Sequence, residues 1–123
     1  MNLVDTPVWI DHLGAADPLL VSLLNDDRVL AHPYVIGEIS LGSLREREMV
    51  LGALLDLPRA TVATPDETSW LIERERLFNR GIDYVDISLL ASARLTPGVT
   101  IWTRGKRLSQ VARELRVGAT LEH

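Results

Sequence analysis

The sequence predicts one α/β domain of three layers, with helices on both faces of a mainly parallel central sheet. Three observations lead there. Short runs rich in β-forming residues, Asn2–Asp5, Val29–Ala31 and Val99–Thr103, are separated by longer stretches of helical periodicity. Strands separated by helices pair in parallel, because a crossover helix returns the chain to the same end of the sheet. Finally, 123 residues, 46% hydrophobic and 24% charged, suffice for one core and leave no room for a second.

Taken in order, Asn2-Leu3-Val4-Asp5 reads as a short buried strand, and Thr6-Pro7 as an N-cap followed by proline at the first helical position. The helix that follows has Val8, Trp9, Ile10 and Leu13 for its buried side. Pro18 opens a second helix through Leu24, stopped by Asn25-Asp26-Asp27, and Val29–Ala31 is the second strand. Helices are expected from Tyr34 to Leu44 and from Glu46 to Leu55, with Pro58 ending the pair. Ala60–Ala63 is a candidate extended piece. Thr64-Pro65-Asp66-Glu67 has the capping chemistry to start a helix running to Asn79 and closed by Gly81. Tyr84–Leu95 places Ile87, Leu90 and Ala91 on one stripe and is broken by Pro97-Gly98. Val99–Thr103 is the last strand, and a helix from Lys106 to Leu115 ends before Val117-Gly118. Residues 1–120 are assigned to the domain, while Leu121-Glu122-His123 resembles the remnant of a C-terminal tag and is set aside.

Composition narrows the function classes. Without cysteine there is neither a disulfide nor a zinc–thiolate site, which suits a reducing cytoplasm. Asp5 comes too early for a signal peptide, and no apolar run approaches the roughly 18 residues of a membrane span, so a cytoplasmic location is expected. The net charge of −4 argues against a protein that simply coats nucleic acid. The charge is uneven, however: residues 1–60 hold four Arg against nine acids, and residues 61–123 hold nine Lys or Arg against eight. Arg104, Lys106, Arg107, Arg113 and Arg116 form either a local basic rim or an ordinary solvated helix face.

In open α/β sheets the ligand site lies beyond the carboxyl ends of the strands, where Asp5 and the segment Thr103–Gly105 are placed. A carboxylate at a buried strand end must be paired, hydrogen-bonded or metal-bound; for Asp5 the alternative is a helix cap. Glu38 has Val35, Leu41 and Gly42 as helical neighbours and so projects from a largely apolar surface, unless it lies on an exposed helix edge. Asp86 opens a strongly apolar helix, where capping competes with a site role. Together the three would make an oxygen-only cluster suited to Mg²⁺ or Mn²⁺. His12 and His32 lack metal-ligand spacing, and the chain has no phosphate-binding glycine loop, nucleophile elbow or cysteine nucleophile.

These motifs, in this order, resemble those of PIN-domain proteins. Asp5-Thr6-Pro7-Val8-Trp9-Ile10 resembles their opening, Ile36-Gly37-Glu38-Ile39 their second acidic motif, Val85-Asp86 with Leu90-Ala91-Ser92-Ala93 their third, and Ile101-Trp102-Thr103-Arg104 their fourth. The likeness spans nearly the whole chain, and the length is similar to that of the compact VapC toxins. The resemblance implies a PIN-like fold and an endoribonuclease using Mg²⁺ or Mn²⁺ held by Asp5, Glu38 and Asp86, with Thr103 supporting the pocket. It also implies a small VapB-like antitoxin as partner. Arg104, Lys106 and Arg107 are expected to guide the RNA backbone, and apolar helices near the N-terminus and over residues 34–55 to receive the antitoxin, unless those faces are taken up by the core or by a homodimer interface.

One position departs from the pattern. Family members commonly have an Asp two residues after the threonine of the fourth motif, where this chain has Gly105. That removes a carboxylate from the expected pocket, whether the glycine is natural or an inactivating substitution. It also keeps open a non-catalytic protein of the same fold that binds RNA or antitoxin. A phosphatase using Asp5 as nucleophile would want a second Asp at position 7, which is Pro.

Overall fold

The computed structural model describes residues 1–121. Ten elements follow one another: β1 (Asn2–Val4), α1 (Thr6–Gly14), α2 (Pro18–Asn25), β2 (Val29–Leu30), α3 (Pro33–Ser40), α4 (Arg47–Asp56), α5 (Pro65–Glu75), α6 (Tyr84–Leu95), β3 (Thr100–Trp102) and α7 (Lys106–Glu114). The three strands form a parallel sheet in the order β2-β1-β3, with Leu3 opposite Leu30 on one side and Ile101 on the other. Single bridges, Ala31 to Arg59 and Ile101 to Gly118, extend the two edges.

Successive side chains of a strand point to opposite faces, so a strand buried at every position has both faces covered. Leu3 and Val4 are each 0% exposed, which places β1 in the middle of a sheet covered on both sides, as expected for three layers. Helix α3 packs on both α1 and α4, α5 packs on α6, and α6 and α7 both contact β3. Leu89 and Leu90 of α6 and Leu108, Val111 and Ala112 of α7 are buried in the same core. Leu121, from the expected tag remnant, packs partly buried at the edge of this core; Glu122 and His123 lie outside the described residues. Among the described residues no helix is long and apolar enough to cross a membrane.

Several boundaries differ from the sequence reading. Asp5, not Thr6, caps α1: its side chain accepts from the Thr6 amide. Helix α3 stops at Ser40 rather than Leu44, since Leu41 and Gly42 donate to Glu38 and Ile39 in a tightened last turn and the Ser40 hydroxyl turns back to the Gly37 carbonyl. Leu41, which suggested a longer apolar stripe, is 88% exposed. Helix α5 ends at Glu75 because Arg76 adopts a left-handed conformation (φ 53°) and the Leu77 amide bonds back to Ile72, turning Leu77 into the core. The expected extended piece at 60–63 reduces to the bridge at Arg59 and the amide bond from Ala60 to Ala31.

His32 follows β2 and is fully buried. Its Nδ1 accepts from the Tyr34 amide as the N-cap of α3, so the ring's proton sits on Nε2, which donates to the Ser92 hydroxyl of α6 at 3.1 Å. Burial pushes its pKa from 6.5 down to about 4. Because the folded value lies below the unfolded one, the stabilisation by the neutral ring is complete above pH 6.5 and is lost as pH falls through about 4. Replacing His32 by Asn, a non-titrating N-cap residue, will lower stability at pH 7.5 and flatten the decline of the urea midpoint over that window, an effect of at most about 3 kcal/mol.

Candidate active site

Four chain segments meet beyond the carboxyl end of β1. The buried carboxylate of Asp5 follows the central strand, whose pairing continues through the bond from the Asp5 amide to the Trp102 carbonyl. One carboxylate oxygen accepts from the Thr6 amide at 2.8 Å and the other from the Thr103 hydroxyl at 2.7 Å. The two readings of Asp5 therefore coexist, because a carboxylate has two oxygens. Thr103 in turn accepts from the Gly105 amide at 3.0 Å, linking the end of β3 to the start of α7.

Thr6 carries the second connection. Its hydroxyl donates to Glu38 Oε1 at 2.6 Å, drawing α3 towards α1. Glu38 is exposed on the helix edge rather than buried in the apolar surface, while Val35, Ile36 and Ile39 take the inward face.

Asp86 stands in the first turn of α6 in a reciprocal capping box: Asp83 accepts from its amide at 2.8 Å, and its own Oδ2 accepts from the Asp83 amide at 3.2 Å. Burial pushes the Asp86 carboxyl from 3.8 up to about 6; the Asp83 amide opposes this, and the charges of Asp83, Asp5 and Glu38 add to it. Asp86 thus feels both other acids. As oriented, each carboxylate is held by hydrogen bonds, and among the described residues no three acidic or histidine side chains are gathered tightly enough to hold an ion. The donor set is nonetheless one a hard divalent cation prefers, and like charges around a half-buried carboxyl are what such a cation relieves.

Asp5, Asp86, Thr103 and Gly105 line a cleft of about 450 Å³ with Pro7, Gly81, Ile82, Lys106, Arg107 and Leu108. Glu38 borders the neighbouring groove between α1, α3 and α4. The three expected cations separate here. Arg104 pairs with Asp11 and, at 3.1 Å, with buried Asp17, the N-cap of α2, so it clamps the corner between α1 and α2. Lys106 and Arg107 face the cleft.

A PIN-domain family model matches residues 3–114. The chain belongs to the PIN-domain family. As a PIN-domain protein it is also 48% identical over 122 residues to Ribonuclease VapC32 of Mycobacterium tuberculosis, in both the CDC 1551 / Oshkosh and the H37Rv strains, across 99% of this chain and 98% of that protein. No solved structure matches it. Within the PIN framework, sequence reasoning missed Thr6 as the partner of Glu38 and Asp83 as the partner of Asp86. The spacing Asp83-x-x-Asp86 at a helix start was a readable capping signal; nothing local announced the bond from Thr6 to Glu38, which spans 32 residues.

Asp86 has a sign opposite to His32. Its folded pKa is raised, so the metal-free protein gains stability as pH falls from about 6 towards 3.8 and loses it as pH rises through about 6. Asp86→Asn, which keeps an acceptor for the Asp83 amide, is expected to raise the urea midpoint at pH 7.5 in chelator, the gain vanishing near pH 4. Equal midpoints at pH 7.5 would show the carboxylate to be unstrained.

Proposed function

We propose that the chain is a metal-dependent endoribonuclease that acts in the cytoplasm as the toxin of a toxin–antitoxin pair. The observation that carries this reading is the likeness along nearly its whole length to a protein named as a ribonuclease, with three acids placed around the end of the central strand. Asp5, Glu38 and Asp86 would hold Mg²⁺ or Mn²⁺. A divalent ion bound there supplies Lewis acidity towards water and the scissile phosphate. Asp5, fixed through both oxygens, sets the position of the site; Glu38 and Asp86 would exchange their bonds to Thr6 and the Asp83 amide for the ion. Thr103 keeps Asp5 oriented, and Lys106 and Arg107 draw the RNA backbone to the cleft. Arg104, committed to Asp11 and Asp17, has a structural part instead.

Gly105 is the N-cap of α7 and has no side chain to cap it. A Cβ there would meet Thr103 Oγ1 at 3.5 Å and Leu108 Cβ at 3.8 Å, ordinary contacts, and φ −73° suits any residue. An Asp therefore fits, but it would both cap the helix and add a carboxylate to the cleft. Asn separates the two effects. We expect Mg²⁺- or Mn²⁺-dependent cleavage of RNA by the unaltered chain and a loss of about 100-fold or more in Asp5→Asn, on the scale of losing a key electrostatic catalytic group. Gly105→Asp should bind Mn²⁺ more tightly by calorimetry, while Gly105→Asn shares only its added stability. A chain that cleaves nothing until Asp is restored at 105 would support the non-catalytic reading.

The antitoxin is assigned to the groove between α1, α3 and α4. Ile10, Leu13, Ile39, Leu44 and Val50 line it, with Glu38 on its rim; Ile10 is 53% exposed. An amphipathic segment with a basic side chain opposite Glu38 fits that pattern. A second copy of the chain is the alternative occupant of the same groove. The double variant Ile10→Glu, Leu13→Glu should lose copurification with a co-expressed VapB-like antitoxin while retaining RNA cleavage. Retained copurification would move the antitoxin to another surface.

A further inference from the structure

The segment joining α5 to α6 is fastened along α7 at two points. At the far end, Arg80 makes a two-pronged bond to Glu114, at 3.1 and 2.6 Å. At the near end, Gly81 lies directly under the side chain of Arg107. A Cβ on Gly81 would come within 2.7 Å of Arg107 Cδ and 2.9 Å of its Cζ, so any other residue here would make the exposed arginine swing aside from its present place over the chain. Arg107 and Glu114 are seven residues apart, two turns along one face of α7.

The guanidinium of Arg107 is uncommitted. Among the described residues it makes no ion pair and no hydrogen bond, unlike Arg104 with its two carboxylates and Arg80 with Glu114. It lines the cleft that also holds Asp5 and Asp86. An unpaired guanidinium beside acids it does not touch retains its donors, and its planar fork matches two phosphate oxygens. A phosphate approaching three carboxylates meets repulsion; a cation resting beside the cleft offsets it, and packing against Gly81 narrows the range of positions that cation samples.

The geometry points to Gly81 as a positioning residue: it is the seat that holds Arg107 over the acidic cleft, ready to take a phosphate of bound RNA. This rests on the nuclease reading above, which supplies the RNA. It goes further by assigning one phosphate contact to Arg107 and the placement of that side chain to a residue with no side chain at all. Gly81 also has φ +75°, so its conformation and its empty face are separate requirements, and the test has to divide them.

The probe is a fluorescein-labelled single-stranded RNA, followed by anisotropy in chelator to hold metal-dependent cleavage off, at several salt concentrations. The proteins are the unaltered chain, Arg107→Ala, Gly81→Asn and the double variant; Asn tolerates positive φ but fills the seat. Arg107→Ala is expected to weaken binding about tenfold and to lower the salt slope by about one, as for the loss of one phosphate contact. Gly81→Asn should weaken binding in the same direction and reduce the slope likewise, and in the Arg107→Ala background it should change neither. Any backbone strain from Asn will appear as an equal fall in urea midpoint in both backgrounds, leaving the binding cycle interpretable. Gly81→Asn binding as tightly as the unaltered chain, effects of the two substitutions that multiply, or Arg107→Ala without effect would each overturn this assignment while leaving the nuclease reading intact. Failure of the unaltered chain to bind RNA in chelator would overturn this assignment, whereas failure to cleave RNA with Mg²⁺ or Mn²⁺ would overturn the nuclease reading.

Discussion

A carboxylate at the end of a buried central strand has to be satisfied on both oxygens, and in this chain that demand falls on Asp5. One oxygen is met by the first amide of α1 and the other by Thr103 of β3, so a helix start and a neighbouring strand end are pinned to one side chain. The consequences spread outward by single hydrogen bonds. Thr6 is fixed by the cap and can offer its hydroxyl to Glu38; Thr103 is fixed by Asp5 and receives the Gly105 amide. Each acid is thus fixed on its own strand end or helix by hydroxyls and amides that satisfy its oxygens, rather than by attraction, which like charges lack.

The fold was largely legible, because its signals are local. Proline at helix starts, the apolar runs of β1 and β3, and the capping residues at 64–67 all fall where the structure has element boundaries. The errors came where tertiary packing ended an element early: the sequence around Leu41 and Leu77 continues an apolar pattern, yet one side chain faces solvent and the other leaves the helix to enter the core. Asp5, Glu38 and Asp86 could be named as acids in suggestive places, but not their hydrogen-bond partners, since Thr103 reaches Asp5 across 98 residues. The basic cluster after β3 was readable as charge alone. Which of its members are already paired depends on Asp11 and Asp17, far earlier in the chain.

The charges around the cleft are sorted by burial. Asp17 is buried and has a structural cation, Arg104, whereas Lys106 and Arg107 on the first turn of α7 face the open side. His32 and Asp86 respond to acid in opposite senses, one destabilised by gaining a proton and the other relieved by it. Their sum makes the chain's response to mild acid shallower than either residue would produce alone.

The strand order has a temporal consequence. The central strand comes before β2 and β3 in the chain, yet one of its two neighbours is β3, so Asn2 finds Thr100 and Asp5 finds Thr103 only after the long stretch between them exists. Pairings so distant in sequence are slow to close and cannot form piecemeal as the chain grows. A fragment ending before residue 100 has Asp5, Glu38 and Asp86 but lacks the strand and hydroxyl that hold the first of them in place. Assembly of the centre therefore waits for β3, and a chain cut short before that strand carries its acids without the framework that orients them.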